Sequence, residues 1–201
     1  MSSLEHAHDH ERSAAVSNRV KRLVAELERR NLVRESALDG IVEDFLLRAS
    51  PANGKRVVAR AWTDAAFKAR LLEGASEAVT ELGIDMSHWA PVKLRAVANT
   101  EQRHNLVVCT LCSCYPIALL GPSPPWYKSE AYRSRAVRDP RGVLAEFDVT
   151  LAPSVDIDVW DSTAETRYLV VPARPSGTEG LSEDELTALV TRNGMIGTAL
   201  V

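Results

Sequence analysis

The sequence predicts an α+β protein, a helical first part followed by a mixed second part, and three observations carry that reading. Apolar residues recur at three- and four-residue spacing through residues 16–82. From residue 90 they alternate with polar ones or form short β-rich runs. The only three cysteines, Cys109, Cys112 and Cys114, fall within six residues at the end of one such run.

The first dozen residues are polar, with His6, His8 and His10 alternating, and residues 1–15 are expected to be a disordered, solvated tail. From Val16 the pattern turns helical: Val16, Val20, Leu23, Val24 and Leu27 form one apolar stripe. Ser36 can cap a second helix, with Asp39 three residues on and Leu38, Ile41, Val42, Phe45 and Leu46 on its apolar side. Pro51-Ala52-Asn53-Gly54 is expected to end it. A third helix then runs from about Lys55 to Trp62, Asp64 caps a segment carrying Phe67, Leu71 and Leu72, and a short helix closes at Gly83. The early pair at 16–49 has little sequence around it to bury against, which suggests an arm that packs on a partner chain.

After Trp89 the character changes. Val92, Leu94 and Ala96 alternate as in a half-buried strand, and Leu106-Val107-Val108 leads straight into the cysteines. Pro116, Pro122, Pro124 and Pro125 predict a loop, followed by a helix from Trp126 to about Val137 and another opened by Asp139-Pro140. Val155, Ile157 and Val159 alternate, Tyr168-Leu169-Val170-Val171 reads as a more buried strand, and Ser182 with Glu185 forms a capping box for a helix ending near Asn193-Gly194.

Composition narrows the function classes. With 201 residues, 45% hydrophobic and 25% charged, the chain is ordinary for a globular protein. No apolar run approaches the ~20 residues that span a bilayer. The start, Met1-Ser2-Ser3-Leu4-Glu5-His6, has no basic region followed by an apolar one, so no secretory signal is expected and the reading is cytoplasmic. A net charge of −3, from 24 basic and 27 acidic side chains, argues against a dedicated nucleic-acid binder.

Three cysteines so close together exclude a disulfide framework and point to a metal or redox site. Structural zinc needs four ligands, and His104 could supply the fourth, but the Cys-x-Cys pair is tight for zinc. An iron–sulfur cluster normally takes four thiolates. A dithiol pair leaves one cysteine unexplained. The remaining option is a backbone folded tightly around one ion, which brings the amide nitrogens of Ser113 and Cys114 within reach beside the three sulfurs. Five ligands then leave one position of an octahedral trivalent ion open.

The string Cys109-Thr110-Leu111-Cys112-Ser113-Cys114 resembles the metal-binding claw of nitrile hydratase α subunits, and Thr110 resembles the cobalt type. The resemblance continues through His104-Asn105, Trp126-Tyr127-Lys128-Ser129, Tyr132-Arg133-Ser134-Arg135, Pro140-Arg141, Val159-Trp160-Asp161-Ser162, Glu165, Arg167-Tyr168, Arg174-Pro175, Gly177-Thr178-Glu179-Gly180 and Met195-Ile196-Gly197. It covers roughly residues 50–201.

The resemblance implies a low-spin cobalt(III) ion, or else iron(III), held by Cys109, Cys112, Ser113 and Cys114. It implies Cys109 as a thiolate, Cys112 as a sulfinate and Cys114 as a sulfenate. Three anionic sulfurs and two amidates carry five negative charges, so a trivalent ion leaves two, and burying these uncompensated is costly. In the family two arginines of a β subunit sit on the oxidised sulfurs, and an activator or metallochaperone loads cobalt. The reaction implied is hydration of a nitrile to its amide. By the same resemblance Cys114 is the candidate nucleophile or base, Ser113 a hydrogen-bonding neighbour, and Arg167 a support for the claw. Asp161 and Glu165 match positions behind the ligands or at the interface. His104 reads as a hydrogen-bonded structural histidine, and Trp126, Tyr127 and Tyr132 as helix packing. The implied fold is a helical arm followed by an α-β-β-α layered domain. Residues 1–15 are then the tail, 16–89 the arm and helices on the β subunit, and 90–201 the catalytic domain.

The sequence departs from the family beside the substrate. Relatives usually read Tyr-Pro-Trp-Pro after the claw where this chain has Tyr115-Pro116-Ile117-Ala118, and Ala90 stands where they carry a Gln. Gly121-Pro122-Ser123-Pro124-Pro125 replaces the usual Gly-Leu-Pro-Pro. Ile117 and Ala90 thus predict a widened substrate pocket for a bulky nitrile, a nucleoside nitrile such as toyocamycin being consistent. Two other readings remain open on the sequence: a thiocyanate hydrolase γ-type subunit, which shares the claw and cobalt, and a non-catalytic zinc-binding structural protein.

Overall fold

The computed structural model describes residues 3–86 and 92–201, with side chains from residue 14 onward. The chain divides into two compact units, Met1–Arg48 and Ala49–Val201.

The first unit holds α1 (Ser3–Arg29) and α2 (Glu35–Arg48). Helix α1 begins inside the stretch read from sequence as a disordered tail. No Gly or Pro occurs before Gly40, so no helix-breaking residue stops the helix earlier. Asn31 ends it in the left-handed region, at φ 55°. The start of α2 is also other than expected. It begins at Glu35 rather than behind Ser36, and the Glu28 carboxylate accepts from the Glu35 amide at 2.7 Å. Helix α2 buries none of its residues, and Ile41, Val42, Leu46 and Leu47 are exposed.

The second unit opens on α3 (Pro51–Thr63), α4 (Ala65–Glu73) and the one-turn α5 (Ala75–Ala78). Pro51 starts a helix rather than ending one: Ser50 accepts from the Ala52 amide at 3.2 Å, and proline is harmless at the first position, where its missing N–H has no partner to lose. Asp64 caps α4 as expected.

Four strands make two parallel pairs. Strand β1 (Lys93–Ala98) runs beside β4 (Thr166–Val171), with Lys93 opposite Thr166. Strand β2 (Arg103–Val108) runs beside β3 (Asp156–Asp161), with Val108 opposite Asp161. Between them in sequence lie α6 (Ile117–Leu120), α7 (Glu130–Arg138) and α8 (Pro140–Glu146), and after them α9 (Glu183–Leu189) and α10 (Arg192–Ile196). Helices α3, α4, α5 and α10 cover the first pair, α7 and α8 the second, and β2 packs on β4. The order of layers is therefore α-β-β-α, the mixed fold expected.

Leu106, Val107 and Val108 on β2 and Leu169, Val170 and Val171 on β4 are all buried, which is why both strands read as continuous apolar runs. Three further boundaries differ from the sequence reading. The proline-rich stretch contains the helical turn α6. The helix expected from Trp126 is split, because Ser129 caps α7 separately through the Tyr132 amide at 3.2 Å. The last helix is split at Val190, with Thr191 capping α10.

Gly197 ends α10 at φ 93°, and a Cβ there would lie 1.9 Å from the Asn105 carbonyl oxygen on β2. Gly197→Ala combines that clash with left-handed strain, so it should lower unfolding free energy by about 3 kcal/mol. Urea denaturation of the two proteins checks this, and a loss below about 1 kcal/mol would contradict the close approach.

Candidate metal centre

Strand β2 delivers Cys109 one residue beyond its last paired position, and the chain turns back on itself at once. Cys109 and Cys114 are buried, while Leu111, Cys112 and Ser113 form an exposed tip. The three Sγ atoms lie within 4.8 Å of one another. Cys112 Sγ stands 3.4 Å from Cys109 Sγ and 3.1 Å from Cys114 Sγ. The Cys112 amide donates to Cys109 Sγ at 3.3 Å.

Two of the three sulfur separations can be set beside those of metal geometries. For a metal–sulfur bond of about 2.3 Å, tetrahedral ligands stand roughly 3.8 Å apart and right-angled octahedral neighbours roughly 3.3 Å apart. The Cys112–Cys109 and Cys112–Cys114 separations lie on either side of the octahedral value. The donor set fits as well: three thiols on one short loop, with the Ser113 and Cys114 amides close enough to Cys112 Sγ to favour its thiolate.

Charge is divided unequally among the sulfurs. Cys112 is lowered to about 7, first by hydrogen bonding with Cys114 and then with Cys109. Cys114 is pushed up to about 12, chiefly by burial and then by its bond with Cys112, against the opposing charge of Arg167.

The loop is held from two sides. The Asp161 carboxylate, at the end of β3, accepts from the Thr110 amide at 2.9 Å and the Thr110 hydroxyl at 2.5 Å. From α7, the Arg133 guanidinium donates to the Cys109 carbonyl at 3.0 Å and the Thr110 carbonyl at 2.6 Å. The Tyr132 hydroxyl donates to Val107 O at 2.6 Å, and the Tyr127 hydroxyl to Cys114 O at 3.0 Å. Burial raises the pKa of both phenols, so each stays a donor. Trp126 packs edge-on against Tyr132 and Phe147, with ring centroids 5.0 and 4.7 Å apart.

Arg167 and Ile117 meet in one cavity of about 150 Å³ that Met86, Val92 and Tyr115 also line. The Arg167 guanidinium donates to the Thr163 and Thr166 carbonyls, so it acts on the loop through its charge. Ala90 lies outside the described residues. His104 is buried away from the sulfurs, with Nε2 2.7 Å from Gly197 O and Nδ1 3.3 Å from Asn99 Nδ2. That is the structural role expected of it.

Sequence reasoning missed the parts played by Arg133, Tyr127 and Tyr132, and it treated the two tyrosines as packing alone. One signal was available: a tyrosine buried in a core must place its hydroxyl on an acceptor.

Residues 14–199 match the family model described as nitrile hydratase, alpha chain. The chain belongs to the nitrile hydratase α-chain family. The enzyme class that goes with the family is the hydro-lyase nitrile hydratase. The chain is 47% identical over 185 residues to the low-molecular-weight cobalt-containing nitrile hydratase subunit alpha of Rhodococcus rhodochrous, covering 92% of this chain and 88% of that one. It is 42% identical to thiocyanate hydrolase subunit gamma of Thiobacillus thioparus, over 79% of this chain and 69% of that protein. Among solved structures, a double mutant of the Fe-type nitrile hydratase from Comamonas testosteroni Ni1 superposes with TM-score 0.86 at 39% identity, covering 93% of this chain and 90% of that one. The fold is thus that of this family, whose members include cobalt-containing and Fe-type proteins. Among the described residues no helix is long and apolar enough to cross a membrane.

The unequal thiols predict an order of reactivity in the metal-free chain. A group lowered to about 7 is half thiolate at neutral pH, whereas one raised to about 12 stays protonated until strongly alkaline solution. Iodoacetamide at pH 7.5 should therefore label Cys112 first and leave Cys114 unlabelled. Peptide mapping by mass spectrometry reads this, and equal labelling of Cys112 and Cys114 would contradict the arrangement.

Proposed function

We propose that this chain is the α subunit of a heteromeric nitrile hydratase that converts a bulky nitrile to its amide at a non-corrin cobalt(III) site. One observation carries the reading: three cysteine sulfurs of a Cys-x-x-Cys-x-Cys loop gathered within 4.8 Å, two of the pairs at right-angle spacing. Cys109, Cys112 and Cys114 would hold the metal through sulfur, with Ser113 and Cys114 adding their backbone nitrogens. The trivalent ion supplies a Lewis acid for the nitrile and lowers the pKa of water. Cobalt is favoured over iron by Thr110 and by the cobalt-containing relatives.

The chain's own residues then divide the work. Cys112 is exposed and its thiol is lowered to about 7, which suits oxidation to sulfinate. Cys114, as sulfenate, offers an oxygen that can act as base or nucleophile. Arg167 lines the cavity and favours the anionic form of Cys114, so its charge stabilises the reactive group. The Ser113 hydroxyl sits at the loop tip, able to hydrogen-bond an incoming group. Ile117 leaves room where relatives carry an indole.

The excess negative charge at the loop calls for a partner subunit that brings cations, two arginines of a β-type chain, and for an activator or metallochaperone that delivers cobalt. The exposed apolar side chains of the first unit, Val16, Val20 and Leu23 on α1 and Ile41 and Leu46 on α2, suit the same β partner. Residues 16–89 are proposed as the arm and helices that meet it, and 90–201 as the catalytic domain. A cytoplasmic location accords with cysteines that must stay reduced until metal arrives.

The test is turnover by the assembled complex. A bulky aryl or nucleoside nitrile should be hydrated with kcat/KM about tenfold above that for acrylonitrile, and Ile117→Trp should reverse the order. Strong preference of the native enzyme for acrylonitrile would overturn the widened pocket. Release of carbonyl sulfide and ammonia from thiocyanate, with no amide from any nitrile, would make the chain a thiocyanate hydrolase subunit instead, the activity named for its 42% identical relative.

A further inference from the structure

The bend that begins the cysteine loop carries an internal cost. In extended backbone, successive carbonyls point to opposite sides. At Cys109 and Thr110 both carbonyls turn toward the same guanidinium, at 3.0 and 2.6 Å. Two carbonyl dipoles aimed at one point repel, and a cation between them turns that repulsion into attraction. Arginine suits the place because its planar fork offers several donors in fixed directions, whereas lysine is a single point of charge. Asp161 meets the opposite side of the same residue, so the amide, hydroxyl and carbonyl of Thr110 are all engaged. Helix α7 thus grips three carbonyls within four residues: Val107 through Tyr132, and Cys109 and Thr110 through Arg133.

We propose that Arg133 is a positioning residue for metal uptake: its fork fixes the bend at Cys109 and Thr110 that carries Cys112 and Cys114 back onto the Cys109 sulfur. The three sulfurs are thereby gathered before the ion arrives, and the ordering entropy of the loop is met by folding rather than by metal binding. Arg133 also supplies a positive charge from within the chain on the backbone side of an anionic cluster. This role rests on the cysteine loop being a metal centre, and a direct measurement separates the two.

The experiment uses the complex with its partner subunit and its activator, expressed without cobalt and then titrated with it, for native protein, Arg133→Lys and Arg133→Gln. Cobalt per chain, uptake rate, the sulfur-to-metal charge-transfer absorption and the melting temperature are recorded. Native complex should fill. R133Q should take up cobalt about tenfold more slowly and show an altered absorption band while melting close to native. R133K keeps the charge without the fork, so it should not restore the native band. Native uptake and absorption in R133Q would overturn the proposal, as would rescue of both by R133K. If R133Q does not assemble, R133K decides alone: slowed uptake with an altered band supports the fork, and native behaviour refutes it. Native complex that binds no cobalt would overturn the metal centre itself, and the role of Arg133 with it.

Discussion

Three sulfurs confined within 4.8 Å set the terms for the rest of the molecule. Like charges about 4 Å apart repel by roughly 4 kcal/mol at an effective dielectric near 20, so three adjacent thiolates cannot coexist without cations. The metal-free chain answers by dividing protons unequally: Cys112 gives its proton up readily and Cys114 keeps its own. A trivalent ion would remove the conflict more completely. The near-neutral balance of the whole sequence says little about this, because the relevant charge is local. The chain's own contribution is two arginines, Arg133 on the loop carbonyls and Arg167 beside Cys114.

The parallel pairing of β2 with β3 is what makes such crowding possible. With Val108 opposite Asp161, the two strands stop together, and the Asp161 side chain is free to hold the first residues that leave the sheet. The Ser162 amide closes the pairing on Val108 O at 2.7 Å. Buried Leu106, Val107 and Val108 fix the height at which Cys109 emerges, and α7, packed on β2, brings Tyr132 and Arg133 to the same place. The loop is therefore braced by a strand end, a carboxylate and a helix. Its tip alone, Leu111 to Ser113, is left open to whatever approaches.

Much of this was legible in the sequence because it follows from local rules. The strands followed from alternation and apolar runs, Asp64 and Ser182 from capping chemistry, and the special character of Cys109, Cys112 and Cys114 from spacing that no disulfide or ordinary zinc site explains. The same local logic failed where two rules compete. Pro51 looked like a helix end and is a helix start, because Ser50 supplies the cap. Ser129 sat unnoticed within an apparently continuous helix and divides it. Arg133 and the hydroxyls of Tyr127 and Tyr132 could not be found by spacing at all, since their acceptors lie 13 to 25 residues away and depend on how α7 and the turn before it pack.

Metal content and cysteine chemistry of the assembled complex, measured on one sample, test the central claim most directly. Elemental analysis combined with mass spectrometry of the peptide spanning Cys109 to Cys114 should find cobalt, two added oxygens on Cys112, one on Cys114 and none on Cys109. Zinc in that sample, with all three cysteines unmodified, would contradict the account and return the loop to a structural role.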